Sequence, residues 1–502
     1  MPWRTNREAG WNPAQPHALK RIVATGALSN LVFAAMGSAV TYLQSIIAIR
    51  ILGPEQIGLY AMASAIAVTL EWVSDFGIGD QLIQEDDANF QDKFDTAVTV
   101  YVILALALAA ATVGIAPFMA RVYHQPPLSL LVTAISYAAF IGLLRLPLSL
   151  LVRDLKYVRQ RVLLLAGRVV SFVVTVTLAL KGAGAWALVA GGFCGLVVTG
   201  IPAWLQCHMR PRLRISRALL KPLFRFSSPV WVSKIAYVLV QQGSVLVLSA
   251  YLALDDVGRF KASEQVAYFI FYVETVLAQT MFPVFCRLKD SDGMLRSAFT
   301  KASRISMFWI SASALGLTLF APDIVRYVLT ERWHGAELFL RAQGIALFFG
   351  ATISGWESLL KARNRTRVIF QMSVFFGICF TVIFIPAVAV WGRVGAAGAV
   401  IVISAIILVT RVIVLSRLGL GISIVEIGWR ATAAGVLAVA AVFVLSGFSP
   451  SSSLLVLAAR VALYLVVYAC TLLTLELNLL REILPLLLPQ SPPRVVEAVE
   501  QG

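Results

Sequence analysis

The chain has 502 residues, 59% of them hydrophobic and only 14% charged, with a mean hydropathy of +0.83. A soluble chain would carry roughly a quarter of its residues as charges, so a water-soluble enzyme or binding module is excluded. The net charge of +16 does not argue for nucleic acid, because the basic residues sit in short loops between apolar runs, as topology signals beside anionic lipid do.

A bilayer core of about 30 Å takes roughly 20 apolar residues as a helix, and about fourteen runs of that kind follow one another. In chain order they are Leu28–Ile49, Ile57–Ile78, Ala97–Pro117, Leu128–Leu151, Val162–Leu180, Trp186–Leu205 and Val230–Leu252. The second set is Ala262–Phe285, Ile305–Val325, Leu338–Leu360, Val368–Trp391, Ala396–Leu415, Ala431–Leu445 and Leu454–Leu475. Backbone groups find no water in hydrocarbon, so these runs are expected as helices and the fold as an all-α integral membrane protein. The first run is too long for a secretion signal and no Ala-x-Ala site follows it, so it is expected to remain as an anchor.

The loops alternate between basic and nearly charge-free. Arg153–Arg161, Arg210–Arg225, Arg287–Arg304 and Lys361–Arg367 fall on one side; Gly182–Ala185 and Phe448–Ser453 fall on the other. The positive-inside rule makes the first set cytoplasmic, and an even number of spans then puts both termini there. Gln84–Asp95, acidic, breaks the pattern without weighing on topology.

The chain also repeats itself with a period near 200 residues. Leu52-Gly53-Pro54-Glu55-Gln56-Ile57-Gly58-Leu59-Tyr60 is matched by Leu252-Ala253-Leu254-Asp255-Asp256-Val257-Gly258-Arg259-Phe260. The basic loop 153–161 is matched by 361–367, and the turn Gly182–Ala185 by Gly392–Gly398. Six spans per copy is an even number, so the copies run the same way, related by an axis along the membrane normal. The expected organisation is a tail (1–27), a six-helix bundle (28–209), a basic connector (210–229), a second six-helix bundle (230–415), two further helices (416–475) and a second tail (476–502). Two such bundles leave a cleft that rocking exposes to either side in turn.

Sites for covalent chemistry are not evident. There is no phosphate-binding Gly-x-x-x-x-Gly-Lys loop. His17, His124, His208 and His334 are scattered, and Cys194, Cys207, Cys286, Cys379 and Cys470 read as small buried hydrophobes. An enzyme, a metal and a cofactor are therefore not expected. Ionisable groups within spans are the better pointers, since each costs at least about 2.5–3.5 kcal/mol at mid-bilayer unless it finds a partner or a cavity. Glu71 and Asp75 share a helix face and are candidate coupling-ion sites. Arg145, Arg168 and Lys234 are candidate substrate-binding cations, with Gln44, Gln241 and Gln242 as polar companions; Arg411, Arg460, Glu264, Glu274 and Glu357 are further intramembrane charges. The competing reading for each is a structural ion pair or a side chain reaching out from a helix end.

Ile51-Leu52-Gly53-Pro54-Glu55-Gln56-Ile57-Gly58-Leu59-Tyr60-Ala61, then Ser74-Asp75-Phe76-Gly77-Ile78-Gly79 and Leu82-Ile83-Gln84, resemble the opening of bacterial polysaccharide transporters. These are the oligosaccharide flippases of the multidrug/oligosaccharidyl-lipid/polysaccharide exporter superfamily. Arg153-Asp154-Leu155-Lys156-Tyr157 and Gly184-Ala185-Trp186-Ala187-Leu188-Val189 resemble the family too. The resemblance implies translocation of an undecaprenyl-diphosphate-linked oligosaccharide across a bacterial inner membrane for exopolysaccharide or lipopolysaccharide synthesis. Membrane lipid, a polysaccharide polymerase and chain-length machinery would be its partners. The alternatives are a drug or cation antiporter of the same superfamily, a peptidoglycan-precursor flippase, and a membrane polymerase, which would need a large outer loop that this chain lacks.

Overall fold

A computed structural model describes residues 16–74, 90–154, 156–207, 209, 211–216, 238, 242–419, 421, 423–446 and 451–477. Helices dominate, and no strand occurs among the described residues. In order they are α1 (Pro16–Leu52), α2 (Pro54–Ser74), α3 (Phe90–Val122), α4 (Pro126–Ile135), α5 (Ile141–Arg153), α6 (Tyr157–Leu180) and α7 (Trp186–Leu205). A helical stretch over 242–251 precedes α8 (Leu254–Leu288) and α9 (Asp292–Leu319). Then come α10 (Ala321–Asp323, running on as a π turn), α11 (Glu337–Ala351), α12 (Trp356–Ala362), α13 (Thr366–Cys379), α14 (Ile385–Arg417), α15 (Ile424–Ser446) and α16 (Leu454–Leu475).

Ten described stretches are long and apolar enough to cross a membrane, eleven if α9 and Ala321–Leu329, bent by 67°, count as one. One of the ten, Thr366–Arg417, has 52 residues, roughly 78 Å if straight, far more than one crossing needs. It breaks at Gly392, whose φ of 56° interrupts the helix. A Cβ on Gly395 would lie 1.8 Å from the Ala387 carbonyl oxygen, so the chain folds sharply there. The expected spans Val368–Trp391 and Ala396–Leu415 lie on either side of that fold. Of the expected span Val230–Leu252, only 238 and 242–252 are described.

The chain divides into two compact units, Met1–Ala262 and Ser263–Gly502. Leu59, Met62, Leu128, Leu131 and Val132 build one core of the first unit. Phe285, Leu295, Phe299, Met307, Trp356 and Leu359 build that of the second. Large apolar side chains are exposed along the helices, Ile103, Leu106 and Val113 on α3 among them. Such a surface would aggregate in water and is what lipid requires.

Within the first unit, residues 212–216 are tied to the start of α3. Buried Asp95 accepts the Arg212 backbone N–H at 3.0 Å and the Gln91 amide at 2.8 Å. Thr99 Oγ1 donates to the Arg214 carbonyl at 3.1 Å, and the Ser216 N–H reaches Thr96 Oγ1 at 3.4 Å. Asp95, the last acid of the acidic stretch, thus clamps the segment around Arg212.

Candidate functional site: charges inside the membrane

Helix α5 comes close to α2 because Gly142 has no side chain: a Cβ there would stand 2.6 Å from the Ser74 carbonyl oxygen and 2.7 Å from the Tyr101 ring. Arg145 lies three residues beyond Gly142, and Glu71 three residues before Ser74. Their side chains meet with Arg145 Nη1 donating to Glu71 Oε1 at 2.5 Å. The pair is not sealed, since the two side chains keep 48% and 36% of their exposure. Two sequence candidates thus neutralise one another while remaining reachable by a third charged group. Asp75, Lys234 and Gln241 lie outside the described residues; Gln242 is half-buried in the 242–251 stretch.

A second polar seam joins α1, α6 and α7. Cβ atoms on Gly167 and Gly191 would lie 2.0 Å from Thr199 Oγ1 and Thr175 Oγ1, so α6 and α7 approach as closely as small residues permit. Gln44 of α1 donates from Nε2 to Thr175 Oγ1 at 2.9 Å and Ser171 Oγ at 3.3 Å. This candidate sugar contact therefore also works as interhelical glue. Arg168 sits roughly 17 Å from either end of α6 at 1.5 Å per residue. Its guanidinium lies across Gly37 of α1, where a Cβ would be 2.2 Å from Nη1.

In the second unit, by contrast, the intramembrane cations are engaged in structural roles. Arg411, which by its place near a span end could have reached outward, turns to the Gly350 carbonyl and lies over Trp356 at 4.9 Å. Arg460 is buried beside Asp323 at 3.5 Å and donates to Ser451 Oγ at 3.1 Å, while Asp323 accepts the Ser451 N–H at 2.7 Å. Arg326 and Tyr327 both donate to the Ser451 carbonyl. At the other end of α16, buried Glu476 pairs with Arg304 and with Arg430 at 3.6 Å. Between them Tyr464 and Tyr468 donate to carbonyls of Ala312 and Phe308 on α9. Asp323, Ser451 and Glu476 carry no sequence signal of this role: all three stand at helix ends, where a polar residue is ordinary. Glu357 pairs with Lys361 one turn on.

The repeated loops meet inside the first unit. A Cβ on Gly58 would lie 2.1 Å from the Leu254 carbonyl oxygen, and one on Gly258 would lie 1.9 Å from that of Pro54. Beside this crossing, Gln56 Oε1 accepts the Ala185 N–H at 3.0 Å and lies against Gly184, whose φ is 58°. That ties the opening motif to the Gly-Ala turn singled out in the sequence.

The described residues hold no group of three or more His, Cys, Asp or Glu able to bind a metal. Cys379 is buried, but Cys470 is exposed on α16 rather than packed in a core. Cys207, just past α7, has its thiol pushed up by burial and by the charge of Asp154, outweighing a backbone hydrogen bond at Met209.

Residues 47–337, more than half of the chain, match the family described as polysaccharide biosynthesis protein. The chain belongs to that family. Over 360 residues it is 23% identical to the lipopolysaccharide biosynthesis protein WzxC of Escherichia coli strain K12, covering 69% of this chain and 70% of the relative. Over 346 residues it is 24% identical to the succinoglycan biosynthesis transport protein ExoT of Rhizobium meliloti strain 1021, covering 66% and 67%. Among solved structures, the lipid II flippase MurJ in an inward closed conformation superposes with a TM-score of 0.74 over 91% of this chain and all of that one, at 12% identity. An inward-facing multidrug resistance MATE family transporter of the MOP superfamily gives 0.61 over 78% and 99%, at 14% identity. At such identities these two likenesses establish the fold alone.

Proposed function

We propose that this protein flips a lipid-linked oligosaccharide, carried on undecaprenyl diphosphate, from the cytoplasmic to the periplasmic leaflet of a bacterial inner membrane, for exopolysaccharide or lipopolysaccharide assembly. The observation that supports this reading most is the match of residues 47–337 to a polysaccharide biosynthesis family in a chain built of membrane-length helices. Transport, rather than covalent chemistry, is what such a body can do with charges held as these are. A diphosphate cannot cross hydrocarbon unaided, since an isolated charge there costs tens of kcal/mol by Born estimates.

In this reading the Glu71–Arg145 pair is the exchangeable element. Arg145 releases Glu71 to grip a phosphate in bidentate fashion, and Glu71 takes a proton or cation while its partner is occupied. Arg168, midway along α6, is a second phosphate contact; Gln44, Gln241 and Gln242 are the polar side chains offered to sugar hydroxyls, and Lys234 and Asp75 complete the charged set. Both termini are cytoplasmic, and a polymerase with its chain-length machinery removes the product on the far side. A superfamily antiporter for drugs would present a lone acid in an apolar pocket, and the acid–arginine pair favours an anionic cargo instead.

Deletion of the gene tests the proposal. Lipid-linked repeat units should accumulate on the cytoplasmic side, and surface polysaccharide should disappear. Normal surface polysaccharide in the deletion strain rules the proposal out.

A further inference from the structure

Two of the basic loops singled out for topology, Arg287–Arg304 and Lys361–Arg367, converge in the second unit around a cavity of about 370 Å³. That volume lies within the roughly 300–1,000 Å³ of small-ligand sites. Its apolar floor is offered by half-buried Leu418, just past the end of α14, with Leu359 and Leu360 in the buried cluster behind it at 0% and 1% exposure. Its rim is cationic. Lys289 follows α8, and Arg365 is held in place by the turn at Asn364, where φ is 55°.

The ion pairing around this hollow is uneven. Arg363 is engaged by Asp292 across the rim, whereas Lys289 and Arg365 are exposed and have no ion-pair partner among the described residues. One further acid, Asp290, stands beside them. Topology alone asks for positive charge near the membrane surface; it does not ask for a concavity with an apolar floor and two unneutralised cations on one edge.

We propose that this hollow binds the phosphate-bearing headgroup of an anionic membrane phospholipid. The phosphodiester accepts hydrogen bonds from the Lys289 ammonium and the Arg365 guanidinium. The glycerol backbone lies on Leu418, and Asp290 accepts a hydrogen bond from a headgroup hydroxyl. This site is separate from the Glu71–Arg145 pair and stands whether or not the chain flips an oligosaccharide.

The test uses the full-length protein purified in a neutral detergent and titrated with phosphatidylglycerol, phosphatidylcholine or inorganic phosphate, reading the thermal unfolding temperature and, by native mass spectrometry, the lipid retained. Wild type should bind phosphatidylglycerol roughly tenfold better than phosphatidylcholine and ignore millimolar inorganic phosphate. Lys289→Gln/Arg365→Gln should lose that preference, while Arg159→Gln/Arg214→Gln, with as many charges removed in the first unit, should keep it. Leu418→Trp fills the floor without touching a charge and should lose it as well. Equal losses in both double variants, an unaffected Leu418→Trp, equal binding of phosphatidylcholine, or an equal response to inorganic phosphate would each overturn the proposal.

Discussion

Gly58 and Gly258, two hundred positions apart in the chain, occupy mirrored places in one crossing. Each takes the space into which the other's helix start presents a carbonyl oxygen, Leu254 for Gly58 and Pro54 for Gly258. Reciprocal contact of this kind is the mark of a twofold relation, and the residues that make it are those of the repeated loop.

Gly58→Ala and Gly258→Ala should therefore act alike. Neither Cβ fits within 2.1 Å of a backbone oxygen, so either variant shifts the protein away from this arrangement by about 1–3 kcal/mol, roughly 5- to 150-fold in its population. Hydrogen exchange over 54–62 and 254–262 should quicken in both variants. A response in only one of them contradicts the reciprocal contact.

Arg145→Ala should abolish complementation of surface polysaccharide while the protein still reaches the membrane. It removes the proposed phosphate contact and leaves Glu71 without its counter-charge. Glu71→Gln should be milder, because Arg145 stays available. The swap Glu71→Arg/Arg145→Glu should restore the amount of folded protein but not transport. Full activity in Arg145→Ala takes this residue out of the mechanism.

The buried Asp323–Arg460 pair governs stability instead. Asp323→Ala should lower the unfolding temperature in detergent, since stripping one partner from a buried pair costs about 3–5 kcal/mol. Asp323→Leu/Arg460→Met removes both charges and should recover most of that loss. A double variant as unstable as the single one would show that the Ser451 hydrogen bonds, not the charges, carry the effect.

Cys207 offers a chemical check. Its thiol titrates above the ordinary cysteine range and the thiolate is the reactive form, so maleimide labelling at neutral pH should be slow. The rate should keep climbing after an unperturbed thiol has levelled off. In Asp154→Asn the climb should begin at lower pH, because a charge that disfavours the thiolate is gone.

The helical architecture and the family were legible because both rest on local signals: apolar run length, alternating basic loops, and the motif from Ile51 to Ala61. The pairing of intramembrane charges was not. Nothing in the spacing of Glu71 and Arg145 tells that they meet; the meeting depends on Gly142 letting α5 onto the end of α2. Arg460 stood out as a charge within a span, yet its neutralisation by Asp323 follows from the 67° bend after α9, a tertiary event with no periodic signature. Gln44 was visible as a polar residue in an apolar helix, but whether it faces a cavity or a neighbour is decided by the glycine seam of α6 and α7.

The anchoring of α16 at Arg460, at its two tyrosines and at Glu476 limits how this protein can be engineered. A reporter that leaves residues 451–477 unchanged keeps all three fastenings intact. A stop codon placed before Glu476 strands Arg304 and Arg430 without their shared counter-charge, and the shortened product should be cleared by quality-control proteases long before any defect in export could be scored.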